Sequence, residues 1–523
     1  MRKLILLTFV YGSIAFQFPF QFPFLRPKLA LNQAVTEDAF VFTTPKVAII
    51  GAGAGGSSSA FWIAKAKERF GVNIEVDVYE REHYVGGRST VVYPYENTSL
   101  PELELGASIF VKANKNLWRA SDEFNLTRRS FGAEDYETGI WDGEKILLSF
   151  GGSWWDTVKV LWRYGIFSPK KTQTVVGNMI DKFLTLYALD APRWDNISDL
   201  AFALDWSPFI LNTTQRYLLK QGVSEKYINE VVEAATRVNY GQNVDEMHAL
   251  EGACSMAATG AAAIKGGNYQ IFEQFLKRSG ANVLLNTTVE SVFPKSASSH
   301  LWTVRSGRGS VDYKAVILAA PYSSTGIAFP LSISSQIPKQ PYVHLHVTLL
   351  TTTSPTPSPE YFAMSQSSVV PRMMLTTYQG VRNGGKEPQF NSLSYHGLVR
   401  EGEWAVKIFS KERITDEWLN NIFKGKVGWV FRKEWDAYPK LPPTSSFPPV
   451  KLDQGLYYVN AFEPMISYRF ISTMETETIA SRNVVDLLLN EHFHSSICGT
   501  RISERKENLT FKDTGDFVAG WDC

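Results

Sequence analysis

The apolar run Lys46-Val47-Ala48-Ile49-Ile50 passes without a break into Gly51-Ala52-Gly53-Ala54-Gly55-Gly56, and a helix-forming stretch from Ala60 to Phe70 follows. Few folds can use that order of residues. Gly51, Gly53 and Gly56 fit the G-x-G-x-x-G spacing of a strand–turn–helix that binds a dinucleotide. The first glycine makes the tight turn, the second admits a pyrophosphate to the backbone, and the third lets the helix pack on the strand. The helix N-terminus offers free N–H groups and a partial positive charge to the phosphates, and Gly55 belongs to the same loop. A second strand, Glu75 to Tyr79, ends in Glu80, 24 residues beyond Gly56. A carboxylate there accepts hydrogen bonds from ribose hydroxyls and repels a 2′-phosphate.

Composition excludes several function classes. The chain has 53 basic and 52 acidic residues, a net charge of +1, which supplies no global field for gripping nucleic acid. Apolar residues at 44% and charged residues at 20% are ordinary globular usage. Aromatics are abundant, with 33 Phe, 22 Tyr and 14 Trp, as suits the lining of an apolar cavity or a thick core. Met1-Arg2-Lys3 followed by an apolar run to Phe16, with Ser13-Ile14-Ala15 as a cleavage site, reads as a secretory signal peptide over 1–15. No later stretch is long and apolar enough for a transmembrane span, so any membrane contact is expected to be peripheral. Sequons stand at Asn97, Asn125, Asn196, Asn212, Asn286 and Asn508. Of three cysteines, Cys498 and Cys523 either pair and tether the tail or stay apart, and Cys254 is left over in an apolar segment.

Along the chain, strand-like segments near 282–285, 301–305 and 315–319 and a last strand and helix at 455–460 and 473–489 belong with the glycine loop. Residues 130–235 read as mostly helical and 342–410 as β-rich. The expectation is an α/β protein: a Rossmann-type cofactor domain from 44–130, 231–335 and 451–490, interleaved with an α+β substrate domain from 131–230 and 336–450. Residues 491–523 form a tail.

Beyond Glu80, the segment Val85-Gly86-Gly87-Arg88-Ser89 resembles the second glycine motif of the amine-oxidase and dissociation-inhibitor flavoproteins. Its Cβ-free turn lies over the cofactor pyrophosphate, and a guanidinium pairs with phosphate. Glu102-Leu103-Glu104-Leu105-Gly106-Ala107-Ser108 resembles the next cofactor-contacting turn of that superfamily, through Gly106 and Ala107. Further segments are similar to the prenylcysteine oxidase (prenylcysteine lyase) family: Arg237-Val238-Asn239-Tyr240-Gly241-Gln242, Lys265-Gly266-Gly267-Asn268, Pro371 to Thr377, Lys407-Ile408-Phe409-Ser410, Trp435 to Pro439 and Ser472 to Thr476.

The resemblance implies FAD as cofactor and S-farnesyl- or S-geranylgeranyl-cysteine as substrate. It implies hydride transfer from the prenyl C1 to the flavin, and oxygen and water as co-reactants. Products would be a prenyl aldehyde, cysteine and hydrogen peroxide, in the lysosome or vacuole, with secretion as the alternative. It places Glu463 near the ribityl chain, and Met474 and Glu475 at a helix N-terminus facing the flavin. His346 (which shares a strand face with His344), Tyr240 and Arg237 are the candidate catalytic residues, and Cys254 is not expected to tether the flavin. No metal ligands are assigned. Two other readings remain: a flavin oxidase of an amine or prenylated metabolite, and a flavin-free prenyl carrier.

Overall fold

The computed structural model describes residues 44–130, 137–257, 260–296, 299–465, 473–498 and 517–523. The leader and Asn508 lie outside them. The strand read from the glycine loop is β1 (Lys46–Ile50), leading into helix α1 (Ala54–Phe70) and then β2 (Glu75–Tyr79). Three distant stretches complete this sheet: β3 (Asn282–Leu284), β4 (Ala315–Leu318) and the pair β5 (Lys451–Asp453) and β6 (Leu456–Tyr458). The order is β5-β6-β4-β1-β2-β3, parallel except for edge strand β5. Strands buried on both faces need continuous apolar runs, and β1 and β4 are such runs. Their parallel pairing forces long crossovers, which is why the remaining chain is threaded between the strands.

The second sheet has seven strands in the order 427–439, 342–352, 403–410, 392–400, 373–376, 138–141 and 146–150. It is antiparallel except where Met373–Thr376 runs alongside Thr138–Trp141. Helix α2 (Lys115–Glu123) precedes both stretches of this sheet, and between them lie further helices, among them α3 (Trp154–Tyr164), α4 (Phe167–Leu184) and α5 (Glu233–Tyr240). The last helix, α6 (Thr473–Phe493), packs against α1. The α/β architecture with a mixed second sheet thus matches the expectation from sequence.

The tail does more than trail. Cys498 and Cys523 form a disulfide with Cα atoms 5.1 Å apart, and Cys254 is a buried thiol that donates to the Leu250 carbonyl. Trp521 joins Phe61, Trp62, Phe124 and Phe275 in an aromatic cluster on α1. Arg69 donates to the Trp521 carbonyl at 2.8 Å, and Arg482 to that of Ala519 at 2.8 Å. Residues 517–523 therefore pack onto α1 and α6, which sequence patterning did not foretell.

Candidate functional site

A cleft of about 420 Å³ opens along the C-terminal ends of β1 and β2, where an open parallel sheet presents its ligand site. Its floor is the two glycine loops. Gly51 has φ +106°, and a Cβ there would meet the Ala319 carbonyl oxygen at 2.5 Å. Gly86 has φ +117° and donates its N–H to Ala52 at 3.0 Å, so the second loop rests on the first. Gly53 and Gly87 face each other, a Cβ on one lying 3.8 Å and on the other 3.4 Å from the opposite Cα, and Gly87 has φ +60°. Gly55, Gly106 and Ala107 also line the cleft, whereas Gly56 lies behind it, at the packing contact of α1 on β1.

Glu80 ends β2 at the cleft wall. One oxygen accepts the Ala52 N–H at 2.8 Å and the other the Glu82 N–H at 2.9 Å. The carboxylate thus pins the first glycine loop and still presents lone pairs to the cleft.

Three polar atoms in the cleft wall are buried and have no partner among the described residues: Ser89 Oγ, Trp435 Nε1 and Asn460 Oδ1. Buried polar groups are ordinarily satisfied. Their presence beside two closely apposed glycine loops fits a ligand carrying phosphates and hydroxyls.

Arg88 departs from its expected role. Its guanidinium donates to Glu463 at 2.8 Å and to the Ala437 carbonyl at 3.0 Å. A buried carboxylate at that distance takes the charge-assisted bond, so Arg88 ties the second glycine loop to strand 427–439 rather than offering that bond to a phosphate. Glu463 itself stands one layer behind the cleft and also accepts from the Tyr342 hydroxyl. Tyr342 and Arg88 line the cleft where Glu463 does not.

Met474 lines the cleft as expected, and Glu475 does not. The Glu475 carboxylate accepts the N–H groups of Asn116 and Leu117 at 2.9 Å each and the Tyr187 hydroxyl, capping α2. The acid that α6 gives to the cleft is Glu477, three residues after Met474. Positions three apart share a helix face, whereas adjacent positions do not, so Glu477 rather than Glu475 follows Met474 to the cleft side of the helix. Glu477 accepts from the Asn460 amide at 3.0 Å. Burial, reinforced by the nearby Glu463 charge and opposed by Arg88, pushes its carboxyl up to about 8. Burial thus favours its neutral form, which would not repel a phosphate.

A stability test follows. The unfolded carboxyl ionises near its ordinary value of 4.5 while the folded one stays protonated to about 8. Stability from this group is full below the lower value and is lost as pH rises through the upper one. Glu477→Gln removes that loss, so the variant gains on the native protein as pH rises, by up to ~1.4 kcal/mol per pH unit within that window. Thermal unfolding at pH 5 and pH 8 checks this; parallel pH profiles refute it.

The three expected catalytic residues do not line the cleft. His344 and His346 do share one face, with rings 5.4 Å apart. Across from them stand Asp436, 3.2 Å from His344, and Glu434, 3.5 Å from His346. Side chains alternate along a strand, and the cleft receives Leu345 and its cross-strand partner Trp435. His346 therefore points to the opposite side. Arg237 is buried, donating to Thr376 at 3.0 Å, Asn243 at 2.9 Å and Asn391 at 3.2 Å, and it knits α5 to the second sheet. Tyr240 is buried among Met247, Leu441 and Tyr438, and only Tyr438 of these reaches the cleft.

Comparison with known proteins agrees with this geometry. The prenylcysteine lyase family model matches residues 150–498, and a model of an NAD(P)-binding Rossmann-like domain matches residues 49–124. Farnesylcysteine lyase of Arabidopsis thaliana is 31% identical over 472 residues, covering 85% of this chain and 88% of its own. Prenylcysteine oxidase 1 of Homo sapiens is 28% identical over 470 residues, covering 84% and 87%. Among solved structures, a redesigned putrescine oxidase superposes with a TM-score of 0.57 at 15% identity, over 85% of this chain and 99% of that one. Cyclohexylamine oxidase from Brevibacterium oxydans gives 0.55 at 15% identity, over 86% and 99%. These two show the fold.

Proposed function

The chain belongs to the prenylcysteine lyase family, and from that premise we propose that it is a FAD-dependent oxidase. It cleaves S-prenyl-cysteine with oxygen and water to a prenyl aldehyde, cysteine and hydrogen peroxide. The observation that carries the flavin assignment is the double glycine cradle with its unsatisfied Ser89, Trp435 and Asn460 atoms. A flavin-free carrier would have no use for them.

Bound there, the cofactor supplies a two-electron acceptor, and the chain supplies position and electrostatics. Glu80 would hold the adenosine ribose, the two glycine loops the pyrophosphate, and neutral Glu477 a phosphate or ribityl oxygen. Leu345, Trp435 and Tyr438 give the cleft an apolar wall. Such a wall excludes water and suits an apolar tail. The absence of His346, Arg237 and Tyr240 from the cleft is compatible with this chemistry. Sulfur and the allyl group stabilise the developing cation, so little is asked of an acid or base.

The expected reaction is stoichiometric. Farnesylcysteine in air gives peroxide, farnesal and free cysteine in equal amounts without added NAD(P)H. An analogue with a saturated chain binds comparably, since buried apolar area is nearly unchanged. It reduces the flavin at least ~100-fold more slowly, which corresponds to ~3 kcal/mol of lost transition-state stabilisation. Equal rates for the two thioethers, or preference for an amine, would overturn the assignment.

The same reading places the protein in the secretory pathway, with the lysosome or vacuole as destination. The disulfide suits an oxidising compartment. Asn97, Asn125, Asn196 and Asn286 are exposed, while Asn212 is half-buried and its amide donates to Pro208.

A further inference from the structure

Helix α3 wears its apolar face outward. Ser153 and Asp156 cap its start reciprocally. Its inner side is held by polar contacts: Arg163 reaches Glu230 through two bonds of 2.7 and 2.9 Å, and the buried Tyr164 hydroxyl donates to the same carboxylate at 2.7 Å. The outer side carries Trp154, Trp155, Val158, Leu161 and Trp162, and the patch continues past Gly165 with Ile166 and Phe167. Trp162 is 91% exposed and Phe167 70%. The Trp154 and Trp155 rings stack at 3.7 Å. An ordinary surface helix shows the reverse polarity, and a contiguous apolar patch of this kind marks an interaction surface.

The charges around it select the partner. Within 154–171, Arg163 is spent on Glu230 and Lys159 pairs with Asp156 at 3.0 Å, which leaves Lys170 and Lys171 with no acid of that stretch against them. Lys170 and Lys171 are exposed at the end of the patch. Tryptophans flanked by lysines are the composition of a helix lying in a bilayer interface, with rings at headgroup depth and ammonium groups on anionic lipid. Among the described residues no helix is long and apolar enough to cross a membrane, and α3 with its 11 residues is too short to span one. We infer that α3 and the start of α4 seat the protein on an anionic lipid bilayer. For an enzyme of prenyl-cysteine this is the phase that dissolves the substrate's tail, although the inference itself rests only on the helix face.

Flotation of the full chain with vesicles of phosphatidylcholine, with and without phosphatidylserine, tests it. The native protein is expected to float with phosphatidylserine vesicles. The triple variant Trp162→Ser, Ile166→Ser, Phe167→Ser should partition at least about ten-fold more weakly. The pair Lys170→Gln, Lys171→Gln should lose about five-fold per lysine on anionic vesicles alone. Turnover of detergent-dispersed farnesylcysteine should stay unchanged in both, which separates this surface from the cleft. Absence of flotation, or triple and lysine variants that float like the native chain, overturns the inference. So does a sedimentation-detected dimer that the triple variant abolishes without any vesicle binding, since a second copy would then cover the face. If the triple variant does not fold, the lysine pair still decides.

Discussion

Gly56→Ala is expected to yield no folded, flavin-binding protein. An ideal Cβ at this position would lie 1.8 Å from the Gly51 carbonyl oxygen and 2.9 Å from its carbon. Both are backbone atoms of the turn that joins β1 to α1, so no rotamer change relieves the overlap. Either α1 lifts off the sheet or the turn opens, and both empty the contact around Ile49 and remove the helix N-terminus from the cleft. The expected loss exceeds about 4 kcal/mol, in the range reserved for overpacked cores and strained backbones. Gly71→Ala is the control. It has φ +64° but nothing within 4 Å of its Cβ direction, so only the left-handed penalty of roughly 1 kcal/mol applies. Circular dichroism and flavin content of the purified variants measure the contrast. A Gly56→Ala protein that folds and retains flavin as well as the control would refute the close-contact account.

The second large effect belongs to Glu80. Its carboxylate accepts the Ala52 and Glu82 N–H groups and faces the cleft. Glu80→Ala removes the acceptors for ribose and leaves the buried Ala52 N–H without a partner, so the glycine loop loses its brace as well. Charge-assisted hydrogen bonds contribute about 1.5–3 kcal/mol each. FAD affinity should therefore fall at least ~100-fold, with Glu80→Gln in between because it keeps one acceptor oxygen. Titration of the stripped protein with FAD reads this directly. Retention of FAD at native affinity in the alanine variant would remove Glu80 from the ribose site.

The glycine-loop half of the cleft was legible because its requirements are local. A turn that tolerates no Cβ and a strand that ends in a carboxylate leave their mark on consecutive residues. Placing Glu477 needed only the helical period from Met474, and Glu475 was an error of counting along the chain instead of around the helix. His346 was of another kind. Period-two alternation pairs His344 with His346, but nothing within the strand says which face meets the cleft. That is decided by the packing of Leu103 and Leu105 against Leu345 and Val347 from a segment more than two hundred residues away. Arg237 looked functional in a family-specific segment, while its actual partners Thr376 and Asn391 come from another domain segment. The docking of Trp521 was invisible for the same reason, since an isolated tryptophan near a cysteine carries no address.

The strand order has a consequence for how the molecule comes into being. β1 is flanked by β2 on one side and by β4 on the other, and β4 ends at Leu318. The cleft wall further needs Trp435, Asn460 and Glu477. During synthesis, β1 and β2 emerge early and wait with an unpaired edge while most of the chain is still to come. Parallel pairing at such separations is slow to form and prone to wrong partners. On the proposed assignment, FAD could not be gathered by the growing chain; it would meet a finished cleft. Binding only the closed form, it would then draw the folding equilibrium toward that form by mass action. Supply of flavin in the compartment of folding would thus bear on how much protein survives to maturity, apart from any part it takes in turnover.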